Sequence, residues 1–288
     1  MLLLKLKDGR RLAYIKYGDP NGKTLFHLHG WPGSRFSAQV LDKPAKRLGI
    51  RVIGIDRPGF GLSDPQPERK LLDFPKDLLV LADHLKVKTF SVLGVSGGGP
   101  YGYACAFAIP QNRLMKVAVV AGLGPVYDNN LYSKLTTMLK LSYWSVQKAP
   151  VLFTACAWLQ RFFIRNMPGS LSLYHLFRLL SGSDKKIFLQ RDFQDLMILS
   201  MKEAFRQGVK GPVVDWDLYV RPWGFRLKDI KRQVLIWHGK QDRSVPYSIG
   251  EFCTSQLKDR KFFTYQSSGH YLLYEKGHEI LKALINGN

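Results

Sequence analysis

Residues 89–98 read TFSVLGVSGG, a short β-branched and aromatic run followed by glycine, any residue, serine, any residue and glycine over Gly94–Gly98. The run predicts a strand, and the apolar, alanine-rich residues 101–109 after Pro100 predict a helix. At so sharp a turn the serine hydroxyl is held clear of the sheet, and glycine neighbours leave room for the helix to pass close to the strand. We therefore predict that Ser96 is a catalytic nucleophile.

Two later loops carry the residues that a serine nucleophile requires. Residues 233–237, QVLIW, predict a strand that leads into a polar loop with Asp242, and residues 261–265, KFFTY, predict a strand that leads to His270. A serine hydroxyl is a weak nucleophile at neutral pH, so an imidazole must accept its proton and a carboxylate must orient the ring. We predict a catalytic triad of Ser96, His270 and Asp242.

A glycine-rich loop predicts the oxyanion hole of such a site. Residues 24–28, TLFHL, predict an early strand, and the loop HGWPGS follows over residues 29–34. Backbone N–H groups held near the reacting carbonyl stabilise the negative charge that develops there. We assign this role to the N–H groups of Trp31 and Gly97, and we expect the ring of His29 to brace the loop rather than to take part in catalysis.

The rest of the chain alternates between predicted strands and helices. Asp8-Gly9 predicts an early hairpin turn. Strands are predicted at 24–29, 50–55, 89–95 and 115–121, and helices near 34–48, 73–86 and 97–109. Such alternation indicates a mostly parallel sheet with helices on both faces.

The alternation of predicted strands and helices is interrupted between residues 126 and 225. Long apolar segments there, including Leu131–Trp144 and Val151–Ile164, have helical spacing. We predict a core formed by residues 1–125 and 226–288 and a helical cap formed by residues 126–225, because the triad residues lie on both sides of the insert. Most of the aromatic residues of the insert would serve packing, and two or three would line an apolar pocket; they include Tyr143, Trp144, Phe153, Trp158, Phe162, Phe163, Tyr174, Phe177, Trp216 and Trp223.

These motifs resemble the alpha/beta-hydrolase superfamily. The resemblance rests on HGWPG at 29–33, GVSGG at 94–98, Asp242 and Gly269-His270. The loop DRPGFGLSD at 56–64 is similar to the loop that follows the fourth strand in many members, and we expect its two glycines and its proline to shape a turn beside the site. The resemblance implies an alpha/beta-hydrolase fold with an inserted helical cap. Haloalkane dehalogenases and epoxide hydrolases carry an aspartate where this chain has Ser96, so the resemblance is to the serine-nucleophile branch.

The expected function is cleavage of an ester-like or amide-like carbonyl through a covalent acyl-enzyme, without a cofactor or metal ion. The expected substrate is a small ester with an apolar acyl or aromatic group. Two alternatives remain open: a proline-iminopeptidase-like aminopeptidase, which would need carboxylates in the cap to bind an amine, and a signalling or ligand-binding protein with little turnover. Fold similarity alone does not separate these activities.

The charge and composition of the chain limit the kinds of binding partner that we expect. The chain has 43 Lys and Arg against 22 Asp and Glu, a net charge of +21, spread over the core and the insert without a dense basic run. We therefore expect no specific nucleic-acid binding, while the charge allows a weak, salt-sensitive attraction to an anionic membrane surface. The three cysteines lack metal or redox spacing, and the apolar run before Lys5 is too short for a signal peptide. We expect a cytoplasmic enzyme, with its oligomeric state left open.

Overall fold

Eight strands form one sheet in the computed structural model, which describes residues 2–166 and 180–285. They are Leu2–Lys5 (β1), Arg11–Gly18 (β2), Lys23–Leu28 (β3), Ile50–Ile55 (β4), Phe90–Val95 (β5), Leu114–Val120 (β6), Val234–Gly239 (β7) and Arg260–Tyr265 (β8). The spatial order is β1-β2-β4-β3-β5-β6-β7-β8. Only the β1–β2 and β2–β4 pairs are antiparallel, so the predicted mostly parallel sheet is confirmed.

Helices cover both faces of this sheet. The helices among the described residues are Asp42–Arg47 (α1), Phe74–His84 (α2), Gly99–Ala108 (α3), Asn129–Tyr132 (α4), Thr137–Lys148 (α5), Pro150–Asn166 (α6), Gly182–Phe188 (α7), Arg191–Ala204 (α8), Lys210–Val220 (α9), Tyr247–Gln256 (α10) and Leu272–Ile285 (α11). Short 3₁₀ helices span Arg35–Leu41, Leu71–Asp73, Ser96–Gly98 and Leu227–Asp229. One apolar layer packs α2, α3 and α10 against the sheet and another packs α1 and α11 against the opposite face. The expected α/β fold class is therefore correct.

The parallel pairing fixes where the loops meet. Strand β5 lies between β3 and β6, and β7 lies between β6 and β8. Because parallel strands point the same way, the residues that follow β3, β5, β7 and β8 all emerge at one edge of the sheet. These are the four loops in which the sequence places the site residues.

Two predicted helices differ from the structure in their details. The segment Leu131–Trp144 is divided between α4 and α5, because Thr136 adopts an extended backbone and its Oγ1 accepts a hydrogen bond from the N–H of Leu139 at 3.3 Å. Threonine in this role begins a new helix. The helix expected near 34–48 is a 3₁₀ helix through Leu41 and becomes α1 at Asp42.

The described residues between β6 and β7 form helices α4 to α9, in line with the helical segments expected of the insert, residues 126–225. None of the described helices combines the length and the hydropathy needed to span a bilayer. Of the aromatic residues from which two or three pocket residues are expected, Trp144, Trp158 and Phe162 have exposed side chains on α5 and α6. Trp216 and Trp223 are buried in packing, and Tyr174 and Phe177 lie outside the described residues.

Candidate active site

Ser96 lies at a strained turn between β5 and α3. Its φ is +52°, a value that side chains other than glycine rarely adopt. A Cβ on Gly94 would lie 2.5 Å from the carbonyl oxygen of Gly98, and one on Gly98 would lie 2.2 Å from that of Leu28. Both positions therefore require glycine, which explains why the pattern allows this backbone to turn so closely beside β3.

Ser96, His270 and Asp242 form one hydrogen-bonded line. His270 Nε2 lies 3.1 Å from Ser96 Oγ, and His270 Nδ1 lies 2.8 Å from Asp242 Oδ2. The other oxygen of Asp242 accepts hydrogen bonds from the backbone N–H groups of Ser244 and Val245, each at 2.9 Å. Because an ionised carboxylate can only accept, Nδ1 of His270 carries the proton and Nε2 is left to accept the proton of Ser96.

The pKa shifts of Asp242 and His270 agree with a proton on Nδ1 of His270. Burial raises the pKa of Asp242, but the charge of His270 and hydrogen bonds from His238 and His270 outweigh it and hold that pKa at about 2. Burial lowers the pKa of His270, but the charge and hydrogen bond of Asp242 outweigh it and raise that pKa above its usual value. The His270 side chain remains 13% exposed, so a substrate can reach it.

The two predicted oxyanion donors lie side by side. A Cβ on Gly97 would lie 3.2 Å from the backbone nitrogen of Trp31, and one on Gly30 would lie 3.7 Å from Ser96 Oγ. The N–H of Gly97 is in the first turn of its helix, where backbone donors lack an intrahelical acceptor. The loop after β3 and the turn after β5 thus converge on the hydroxyl of Ser96.

His29 has the bracing contacts expected of it. Its Nδ1 donates to the carbonyl of Gly30 at 2.8 Å, and its Nε2 accepts from the backbone N–H of Arg57 at 3.3 Å. Burial and the charge of Arg57 hold the pKa of His29 well below its usual value. A neutral ring is needed for this pair of contacts, because one nitrogen donates and the other accepts.

A buried ionic cluster connects the oxyanion loop to the insert, and sequence analysis did not find it. Arg57 donates to the carbonyls of His29 and of Gly30, the latter at 3.2 Å, and pairs with Asp215 of α9 at 2.7 Å. Arg69 pairs with the other oxygen of Asp215. Asp215 and Arg57 are both 0% exposed.

Two tyrosines complete the hydrogen bonds of this carboxylate. Tyr101 of α3 donates to Asp215 at 2.6 Å, and Tyr219 of α9 donates to its other oxygen at 2.9 Å. Burial raises the pKa of Asp215, but the charges of Arg57 and Arg69 outweigh it and hold that pKa at about 2. A Cβ on Gly97 would lie 2.8 Å from the Tyr219 hydroxyl, so the cluster extends to the oxyanion donors.

A second carboxylate of the insert holds the loop of the histidine. Asp184 of α7 is 1% exposed; its Oδ1 accepts from the backbone N–H of Tyr271 at 2.9 Å and its Oδ2 from Ser181 Oγ at 2.7 Å. A Cβ on Gly269 would lie 2.2 Å from Asp184. The charge of Asp184 adds to that of Asp242 in raising the pKa of His270.

The sequence gives only weak indications of this buried ionic cluster. Asp215 and Asp217 interrupt the apolar run GPVVDWDLYV at 211–220, and Tyr219 follows Asp215 one helical turn later. A carboxylate on the buried side of a helix needs a cationic partner. The glycines and proline of the loop at 56–64 indicate a structural turn and do not show that its Arg57 is this partner. Among the described residues, no group of three or more His, Cys, Asp or Glu side chains could hold a metal ion.

Comparisons with known proteins agree with this architecture. A family model for the alpha/beta hydrolase fold matches residues 23–277. The chain belongs to this family. The uncharacterized hydrolase YugF of Bacillus subtilis (strain 168) is 23% identical to this alpha/beta hydrolase over 281 residues, 93% of this chain and 91% of that protein.

Two esterases are also similar. The bifunctional esterase/perhydrolase DCH of Acinetobacter calcoaceticus is 24% identical over 304 residues, covering 97% of this alpha/beta hydrolase and 96% of that protein. The structure of an esterase from Exiguobacterium antarcticum matches 98% of this chain and 97% of its own, with a TM-score of 0.67 and 17% identity. That structural likeness shows a shared fold.

Proposed function

We propose that this alpha/beta hydrolase is a serine hydrolase that cleaves ester bonds through a covalent acyl-enzyme. The hydrogen-bonded line from Ser96 Oγ to His270, 3.1 Å, and from His270 to Asp242, 2.8 Å, is the observation that carries this proposal. Its position beside the N–H groups of Trp31 and Gly97 adds support.

In the proposed reaction Ser96 Oγ attacks the ester carbonyl while its proton moves to Nε2 of His270. The carbonyl oxygen becomes negatively charged and accepts hydrogen bonds from the N–H groups of Trp31 and Gly97. His270 then gives its proton to the leaving alcohol, which departs and leaves an ester on Ser96. A water molecule, deprotonated by His270, releases the acid and restores the serine. Asp242 stabilises the imidazolium in both steps.

We propose that the insert acts as a cap over this reaction. Asp215 and Asp184, both from the insert, contact the loops that carry the oxyanion donors and the histidine. The indole Nε1 of Trp31 also donates to the carbonyl of Pro212 in α9 at 2.9 Å. The insert is thereby joined to the loops around the site by hydrogen bonds that are buried or partly buried.

Carboxylate pairing favours an ester over an aminoacyl substrate. An aminopeptidase needs a carboxylate with free capacity for the substrate ammonium. Asp215 is paired with two arginines, Glu203 is paired with buried Arg35 at 2.8 Å, and Asp184 accepts from Tyr271. These three buried carboxylates of the insert are therefore committed to protein donors, and an ammonium bound by any of them would have to displace such a donor.

A fluorophosphonate probe and a substrate pair test the proposal. We expect wild-type protein and the Ser91→Ala variant to be labelled, because Ser91 is a buried serine of β5 five residues before the nucleophile. We expect Ser96→Ala to remain unlabelled and inactive. Labelling of Ser96→Ala would show that the nucleophile is elsewhere. Faster cleavage of aminoacyl amides than of aryl esters would favour the aminopeptidase, and labelling without turnover of any ester would favour a ligand-binding role.

A further inference from the structure

Helix α6 is apolar on two sides, although a helix of a soluble domain ordinarily buries only one. Its inner side contributes Ala157 and Ile164, 4% exposed each, to a cluster with residues of α8. Its outer side bears the α6 surface, which we define as Val151, Leu152, Trp158, Leu159 and Phe162. Their exposed fractions are 83%, 54%, 49%, 55% and 54%.

The α6 surface is one continuous face. Val151, Trp158 and Phe162 follow at intervals of seven and four residues, and Leu152 and Leu159 form a parallel row beside them. Positions at these intervals lie above one another on a helix, over about 17 Å of its length at 1.5 Å per residue. Single exposed apolar residues are ordinary, but a contiguous row of this length indicates a binding surface.

The segment of the chain that carries this face has no acidic residue. Residues 129–183 contain Lys134, Lys140, Lys148, Arg161, Arg165 and Arg178 and no Asp or Glu. The rest of the insert, residues 126–128 and 184–225, has seven basic and seven acidic residues, so the whole positive surplus of the insert belongs to this segment. The segment includes α5, which packs on α6 and exposes Leu141 and Trp144.

A basic cleft adjoins one end of α6. It has a volume of about 500 Å³ and is lined by Arg165, Leu199, Lys202, Glu203 and Arg206. The single carboxylate is already paired with Arg35 at 2.8 Å and with Arg206 at 3.3 Å. The cleft therefore presents a surplus of cationic donors, which suits a phosphate group.

We propose that the α6 surface binds the interface of an anionic phospholipid membrane. Its apolar side chains would enter the boundary between headgroups and acyl chains, and the basic residues around them would contact lipid phosphates, as in other interfacial amphipathic helices. Trp158 suits this depth because an indole has an apolar body and a polar N–H.

Charge favours a lipid surface over a second copy of the chain. A two-fold dimer would place the same face against itself. Two such segments would then bring their basic residues together with no acidic residue between 129 and 183 to compensate. An anionic bilayer supplies the opposite charge as well as the apolar environment.

Vesicle sedimentation of the full chain tests the proposal. We expect binding to vesicles of equal parts phosphatidylglycerol and phosphatidylcholine, weaker binding as salt is raised, and little binding to pure phosphatidylcholine. The double variant L159Q/F162Q should reduce binding by at least about tenfold, since two apolar side chains lose their membrane burial. The control M115Q/L189Q changes two side chains of similar exposure, 64% and 67%, and should bind as the wild type does.

Two charge-reversal variants measure the electrostatic contribution to vesicle binding. K148E/R165E should weaken binding to the anionic vesicles more than K5E/K7E, which makes the same change of charge at exposed positions on and beside β1. Ser96→Ala should bind vesicles normally, so failure of the proposed catalysis would leave this result untouched. Each surface variant should unfold in urea at the midpoint of the wild type, which shows that the variants fold.

Three outcomes would overturn the proposal. One is binding that ignores lipid charge and salt, and another is equal binding by L159Q/F162Q and M115Q/L189Q. The third is a dimer in vesicle-free sedimentation that L159Q/F162Q converts to a monomer, since the α6 surface would then be an interface between two copies.

Discussion

Replacing Asp215 by asparagine should destabilise the fold strongly, because two buried arginines depend on its charge. Asp215 and Arg57 are 0% exposed and Arg69 is 3% exposed. The pKa of Asp215 is lowered from 3.8 to about 2, which corresponds to about 2 to 3 kcal/mol of interaction with the ionised form. Removing one partner of a buried pair typically costs about 3 to 5 kcal/mol, because the remaining charge stays desolvated.

Asparagine keeps the shape and a carbonyl acceptor, so we expect D215N to lose about 3 kcal/mol of unfolding free energy, toward the lower end of that range. Such a loss is large compared with the total unfolding free energy of a typical domain, roughly 5 to 15 kcal/mol. The control is D217N on the same helix. Asp217 pairs with Arg221 at 2.7 Å, but these side chains are 35% and 68% exposed, and exposed pairs contribute about 0 to 1 kcal/mol.

Urea unfolding followed by tryptophan fluorescence measures the unfolding free energy of both variants. The two values can be compared directly if the slope of unfolding free energy against urea concentration is the same as in the wild type. Because the folded-state pKa of Asp215 is depressed, its stabilisation is fully present above the unfolded value of 3.8 and is lost as pH falls through about 2. The difference between wild type and D215N should therefore shrink in strong acid. Equal midpoints for D215N and D217N at neutral pH would refute this account of the cluster.

Three further changes test the loops around the triad. D184N should shift the acidic limb of the kcat/KM profile to lower pH, because a charge that raises the pKa of His270 is removed; D192N, at an exposed position, should leave that limb in place. An unmoved limb in D184N would show that its charge is not felt at the ring. G97A should lower kcat by about 10² to 10³ if the new methyl group displaces an oxyanion donor, and a wild-type kcat would argue against that donor pair. D242N should lower kcat by about 10⁴, as for the corresponding change in a serine protease, and a loss below about tenfold would mean that another group orients the histidine.

The sequence predicts the core of this molecule well because local rules decide it. The strand before Ser96 and the glycines around it are identifiable from neighbouring residues, and Asp242 and His270 each follow a recognisable strand. The parallel sheet then brings the three loops to one edge. The roles assigned to these side chains remain predictions, although their hydrogen-bonded arrangement is the one that those roles require.

The insert was less predictable, because its important contacts join residues far apart in the chain. Asp215 meets Arg57 across 158 residues, and Asp184 meets Tyr271 across 87. Helical spacing says which side of a helix is apolar but not which neighbour covers it. For the same reason, helical spacing alone does not show that the side chains of Trp158 and Phe162 are exposed.

Strand β6, from whose end the insert departs, lies between the strand of the serine and the strand of the acid. Any segment that grows at this position begins at the same edge as the reacting groups, whatever its sequence. Proteins with this topology can therefore change which substrates they accept by varying one contiguous segment, while the strands that carry the reacting groups stay the same.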